Sequence, residues 1–113
     1  MPFINTKVNV SLTPEKKDSI AARYGKAASI IGKSESWLML GFEDNCSLYF
    51  RGDKNAPIAY VDVSIYGSSS PSAFSKLTAE ITKILGDELS VSPDHIYVKY
   101  SPVPDWGWNG GNF

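Results

Sequence analysis

From Phe3 to Val10 apolar and polar residues alternate and β-branched side chains recur, the period-two signature of a strand that starts almost at the amino terminus. Thr13-Pro14 then joins an N-cap hydroxyl to a proline at the first helical position. Ile20, Tyr24, Ala27, Ala28 and Ile31 recur at helical spacing until Gly32 stops the run. This predicts a helix with one apolar face. Trp37-Leu38-Met39-Leu40-Gly41-Phe42 is brief, apolar and aromatic-rich, which predicts a buried strand rather than a helix.

The second half repeats this order. Ile58 to Tyr66 reads as a strand, Ser70-Pro71 as a cap, Phe74, Leu77, Ile81, Ile84 and Leu85 as a helical stripe, and Ile96 to Tyr100 as a closing strand. Sliding the chain by about 57 residues lays Thr13-Pro14 on Ser70-Pro71. With one residue of slack it also lays Leu38–Phe42 on Ile96–Tyr100. The expected fold is α/β: a duplicated β-α-β unit forming a four-stranded mixed sheet with two helices on one face. It occupies residues 1–113 as a single domain, with halves at about 2–56 and 57–113. Two helices cover only one face of the sheet, so the doubly apolar Leu38–Phe42 run predicts either self-association or cover from the Gly-rich tail.

Composition narrows the function classes. A net charge of −1 with 20% charged residues gives no concentrated basic face, so nucleic acid is not expected as a partner. Cys46 stands alone, which removes an intrachain disulfide, a Cys-x-x-Cys pair and a thiolate zinc site. No signal-type or membrane-spanning apolar run is present, so a cytoplasmic chain without a membrane span is expected. The triplets at Asn9 and Asn45 then read as chance rather than glycosylation sites.

The usual catalytic sets are missing. His95 is the only histidine and reads as a solvated turn residue, and no His/Cys/Asp/Glu cluster has metal-ligand spacing. What stands out is Pro2 behind Met1, because removal of Met1 would expose a secondary amine. An ordinary α-amino group titrates near about 8, leaving roughly a tenth as free base at neutral pH. A cation and an apolar pocket would raise that share. Lys33 is a candidate cation, with Ile65 and the tail aromatics as candidate walls. Structural readings compete with these: Pro2 as a strand start and Lys33 as a helix-end lysine opposing the dipole, while Tyr97 on the closing strand reads equally as a core aromatic.

Met-Pro-Phe-Ile-Asn-Thr at the start, Ile31-Gly32-Lys33, Val63-Ser64-Ile65, Phe74-Ser75-Lys76-Leu77, Val91 to Val98, and Trp106-Gly107-Trp108-Asn109 with Phe113 occur in order along the whole chain. In that order they resemble the macrophage migration inhibitory factor family of the tautomerase superfamily. The resemblance implies a homotrimer with active sites at subunit interfaces and cofactor-free keto–enol tautomerisation of phenylpyruvate-like α-keto acids or dopachrome-type substrates. It implies Pro2 as catalytic base, Lys33 and the Ile65 backbone N–H as carboxylate binders, Tyr97 supplied by the neighbouring subunit, and Trp108 and Phe113 as pocket wall. The alternative within the family is a cytokine-like protein acting on a cell-surface receptor after export without a signal peptide. A decarboxylase or dehalogenase of the superfamily would enlist arginines near the amine, and only Arg23 and Arg51 exist.

Three positions depart from the better-known members. Lys99 stands where asparagine is usual, adding a second cation that is expected to bind acids and lower the Pro2 pKa. Trp106 replaces an aliphatic residue and is expected to narrow the mouth. Pro57-Ile58-Ala59-Tyr60 lacks the thiol pair of vertebrate members, so thiol oxidoreductase activity is not expected.

Overall fold

The computed structural model describes residues 1–113. Its elements are β1 (Pro2–Val8), α1 (Pro14–Ala27), β2 (Met39–Glu43), β3 (Ala59–Tyr66), α2 (Pro71–Leu89), β4 (Ile96–Val103) and a terminal hairpin of β5 (Gly107–Trp108) and β6 (Gly111–Asn112). The main sheet runs β2-β1-β3-β4, with β1 parallel to β2, β3 parallel to β4, and β1 antiparallel to β3. The two β-α-β units therefore meet back to back as a four-stranded mixed sheet. Pro2 and Ala59, Pro14 and Pro71, Met39 and Ile96 open corresponding elements at a constant offset of 57, so the one residue of slack disappears.

Both helices start where a hydroxyl replaces a missing intrahelical acceptor. Thr13 Oγ1 accepts from the Lys16 N–H at 3.1 Å and Ser70 Oγ from the Ala73 N–H at 3.0 Å, each followed by a proline with no N–H to satisfy. Ile20, Tyr24 and Ala27 of α1, Leu77, Ile81, Ile84 and Leu85 of α2, and Ile4, Val8, Val61, Val63 and Ile65 of the sheet form one buried cluster. The helices thus cover the side of the sheet to which alternate residues of β1 and β3 point.

Within this core the only buried polar side chain is Thr6, whose hydroxyl lies 2.9 Å from the Tyr24 phenol. Burial pushes the Tyr24 pKa up to about 12, against the opposing hydrogen bond from Thr6. Tyr24→Phe would leave Thr6 without its partner in the dry interior, so unfolding in urea should show a loss of about 1–3 kcal/mol with an unchanged slope. No loss would mean that the pair contributes nothing to stability.

Two expectations need correction. The first strand ends at Val8, not Val10, because the Asn9 side chain takes over the ladder. Its Oδ1 accepts from the Ile58 N–H at 2.8 Å and its Nδ2 donates to the Ala56 carbonyl at 2.9 Å. The expected Trp37–Phe42 strand is displaced and is not buried on both faces. Glu35–Trp37 forms one 3₁₀ turn, and β2 begins at Met39 as an edge strand. Leu40 and Phe42 lean on the core, whereas Met39, paired with Phe3 on the side away from the helices, is 67% exposed. Gly41 on that same side is constrained by space, since a Cβ there would sit 2.6 Å from Asn5 Oδ1 and 3.2 Å from the Phe3 ring.

Candidate functional site

β1 starts at Pro2, whose register partner is Ile65 in β3. Proline is tolerated here because the first residue of a strand can forgo a donated hydrogen bond. The amino end is also held from outside the strand, since the Met1 carbonyl accepts from the Tyr66 N–H at 3.1 Å. A cavity of about 340 Å³ opens at this point, lined largely by Pro2, Phe3, Trp37, Met39, Trp106 and Trp108.

Lys33 reaches the same end of the sheet through the helix terminus. After α1 the chain tightens into a 3₁₀ segment and Gly32 adopts the left-handed region at φ 71°, its N–H bonding to the carbonyls of Ala28 and Ser29. The turn sends Lys33 across to β3, where Nζ donates to the Tyr66 carbonyl at 3.0 Å. The ammonium is therefore anchored on the sheet beside the terminal amine rather than on its own helix end. The amine of Met1 is held below its ordinary value, first by burial and then by the charge of Lys33.

The tail closes the cavity. Asn109 and Gly110, both at positive φ, turn the β5–β6 hairpin, and Phe113 N–H donates to the Trp106 carbonyl at 3.1 Å. Trp108 meets Trp37 edge to face at 4.9 Å, and the Phe113 ring lies 5.3 Å from Tyr66. The Ile65 side chain is 1% exposed and points into the core, so only its backbone faces the terminus.

Pro2, Lys33, Ile65, Trp106 and Trp108 are thus brought to one end of the sheet, with Phe113 at its edge. Tyr97 and Lys99 are not. They share the outward face of β4, but Tyr97 pairs with Tyr60, five positions along β3 from Ile65, or roughly 16 Å. Tyr97 is 63% exposed and touches the Phe50 ring at 5.5 Å. Lys99 Nζ lies 3.0 Å from Asp62 and over the Tyr60 ring at 6.0 Å; the Asp62 bond, then Tyr60, raises its pKa. His95 is less solvated than expected. Its Nδ1 lies 2.7 Å from Asp94 Oδ1, its ring packs on Phe50 at 5.0 Å, and its side chain is 20% exposed.

Trp37, Met39 and Phe3 were not expected in the cavity wall. Trp37 follows Lys33 by four residues, a spacing that places both after the helix stop, but its apolar neighbours disguised it as the start of a strand. The resulting cavity, apolar along its walls with the terminal amine at one end and the charge of Lys33 felt there, suits a small anion with an apolar body. No group of His, Cys, Asp and Glu is arranged to hold a metal ion, and no helix is long and apolar enough to cross a membrane.

The family model for macrophage migration inhibitory factor (MIF) matches residues 1–113. Leishmania major MIF2 is 37% identical with a TM-score of 0.93, covering 100% of this chain and 97% of its own. The Prochlorococcus marinus homologue is 26% identical with a TM-score of 0.89, covering 98% of both chains. Pt0534, solved after inactivation by 2-oxo-3-pentynoate, shares the fold at 18% identity and a TM-score of 0.85, covering 96% of this chain and 93% of its own. No curated protein matches the sequence. With the whole chain matched and the mixed β-α-β sheet shared, the chain belongs to the macrophage migration inhibitory factor family of the tautomerase superfamily.

Proposed function

We propose that the chain is a cofactor-free keto–enol tautomerase of phenylpyruvate-like α-keto acids, with the Pro2 amine as base once Met1 is removed. The observation that carries this reading is the placement of the amino terminus at the end of an aromatic cavity, where burial and then the charge of Lys33 lower the pKa of the Met1 amine and would act on the Pro2 amine in the same direction. The inactivation of Pt0534 by an α-keto acid points the same way for a neighbour of this fold. Dopachrome-type substrates, which join an aromatic body to a carboxyl group, suit the same cavity.

The substrate carboxylate would lie against Lys33 and the backbone at Ile65, with its ring among Trp37, Trp106 and Trp108 and against Phe113. The Pro2 nitrogen takes the proton of the enol hydroxyl as the carbonyl forms, then returns it to the neighbouring carbon. One O–H and one C=C bond are exchanged for one C–H and one C=O, and the amine ends as it began.

The site is completed by a neighbouring subunit of a homotrimer, which supplies Tyr97. Its exposure, and its distance from Pro2 within one chain, support this assignment. Lys99 arrives at the same boundary with its charge engaged by Asp62, so we assign it a smaller effect on the amine than Lys33. Mixing subunits tests the arrangement. Pro2→Gly and Tyr97→Ala proteins should each turn phenylpyruvate over poorly, but unfolded and refolded together they should recover activity, because mixed trimers contain sites with both native residues. Failure to recover, with trimers formed, would place Tyr97 outside the site.

A further inference from the structure

The segment before β3 carries a feature that the proposed site does not use. Phe50 and Asp53 exchange both backbone hydrogen bonds at 2.9 Å, closing a two-residue turn in which Arg51 and Gly52 both have positive φ, 52° and 76°. Such a turn favours Asn or Gly at its first central position, where a long side chain in the left-handed region costs about 1–2 kcal/mol. Arginine holds the position here. Its guanidinium lies 5.1 Å over the Phe50 ring, and Phe50 in turn meets Tyr97 edge to face at 5.5 Å, so the three form a continuous row of contacts on the outer surface.

The guanidinium is not consumed within the chain. No carboxylate forms an ion pair with Arg51, which is exposed at the hairpin tip. Asp94 is close enough to feel its charge, but that carboxylate is bonded to His95 Nδ1 at 2.7 Å and to the Ser92 hydroxyl at 2.8 Å. Asp53 Oδ1 accepts from the Asn55 N–H at 2.9 Å. A strained position that displays an unpaired guanidinium on an aromatic platform points to recognition of an anion outside the chain.

Resting on the tautomerase reading, in which Tyr97 closes the neighbouring subunit's cavity, we infer that Arg51 is a specificity-determining residue. It travels with Tyr97 through Phe50 and meets the end of the substrate remote from Lys33, favouring α-keto acids whose aromatic ring carries a second carboxylate. Lys33 holds one anionic end and Arg51 the other, the planar fork suiting a bidentate carboxylate.

The test compares enol-to-keto turnover of phenylpyruvate and para-carboxyphenylpyruvate by native protein, Arg51→Asn and Arg51→Lys. Asparagine suits the turn, so the fold is preserved. Arg51→Asn should lower kcat/KM for the carboxylated substrate about tenfold or more and leave phenylpyruvate within about twofold, with Arg51→Lys in between. An unchanged ratio between the two substrates, whether both hold or both fall, overturns the assignment while leaving the tautomerase reading in place. Native protein that turns over neither substrate overturns both.

Discussion

Protein that keeps Met1, through an N-terminal extension that resists trimming, should lose phenylpyruvate turnover by roughly 10²- to 10⁴-fold while folding normally. In that form the nitrogen of Pro2 is an amide with no basic lone pair, and the one terminal amine is displaced from the strand end that Ile65 and Tyr66 hold. Pro2→Gly should fall in the same range after Met1 removal. Glycine retains an amine but loses the ring that restricts φ, so the base is no longer held in one direction. Circular dichroism and thermal unfolding of both variants should match the native protein, because β1 remains paired on both sides from Phe3 onward. Native-like turnover by the Met1-retaining form would remove the terminal amine from the mechanism.

The second large effect concerns Lys33. Lys33→Met should reduce kcat/KM roughly ten- to hundredfold, mainly through a raised KM, because a charged hydrogen bond to the substrate carboxylate is lost. The pH profile should move as well. The Met1 amine is held below its ordinary value by burial first and Lys33 second; the same two causes should act on the Pro2 amine once Met1 is removed, and the proposed catalysis needs its free base. Activity is therefore present above the amine pKa and lost as pH falls through it. Removing the cation raises that pKa, so the acid-side loss should begin at a higher pH, only partly shifted because burial persists. Lys33→Arg should keep the native profile, and an unshifted profile in Lys33→Met would show that this charge does not act on the base. The variant also loses the bond to the Tyr66 carbonyl, so a stability loss of about 1 kcal/mol should accompany it.

These expectations depend on features of different legibility. Thr13-Pro14 and Ser70-Pro71 marked both helix starts because capping is a local interaction within four residues, and the structure bonds each hydroxyl three residues on. The strand of Ile58–Tyr66 was readable to within one residue because its neighbours on both sides force strict alternation of burial. β2 was harder. As an edge strand it is held on one side only, so its apolar run carried no period, and the 3₁₀ turn at Trp37 was absorbed into it.

At the site the same division holds. Pro2 drew attention from its position alone, and Lys33 from its place after the helix stop. That Lys33 would cross to β3 rather than stay at its helix end depended on the left-handed turn at Gly32 and on a carbonyl 33 positions away. Trp37 entered the cavity only because Trp108, 71 residues later, folds back against it. Lys99 was expected to bring a second cation to an interface pocket; within one chain its charge meets Asp62, across from it in the adjacent strand, a pairing no local pattern announced.

By itself the sequence determined the duplicated β-α-β order, the capped helices, the one proline able to become a terminal amine and the single unpaired cysteine, since each follows from local periodicity, capping or covalent position. The tertiary structure alone decided which cation sits by that amine, which aromatics wall the cavity, and that Tyr97 lies too far along β4 to meet Pro2 in one chain. Those are outcomes of strand register and turn direction, which bring together residues that no local pattern couples.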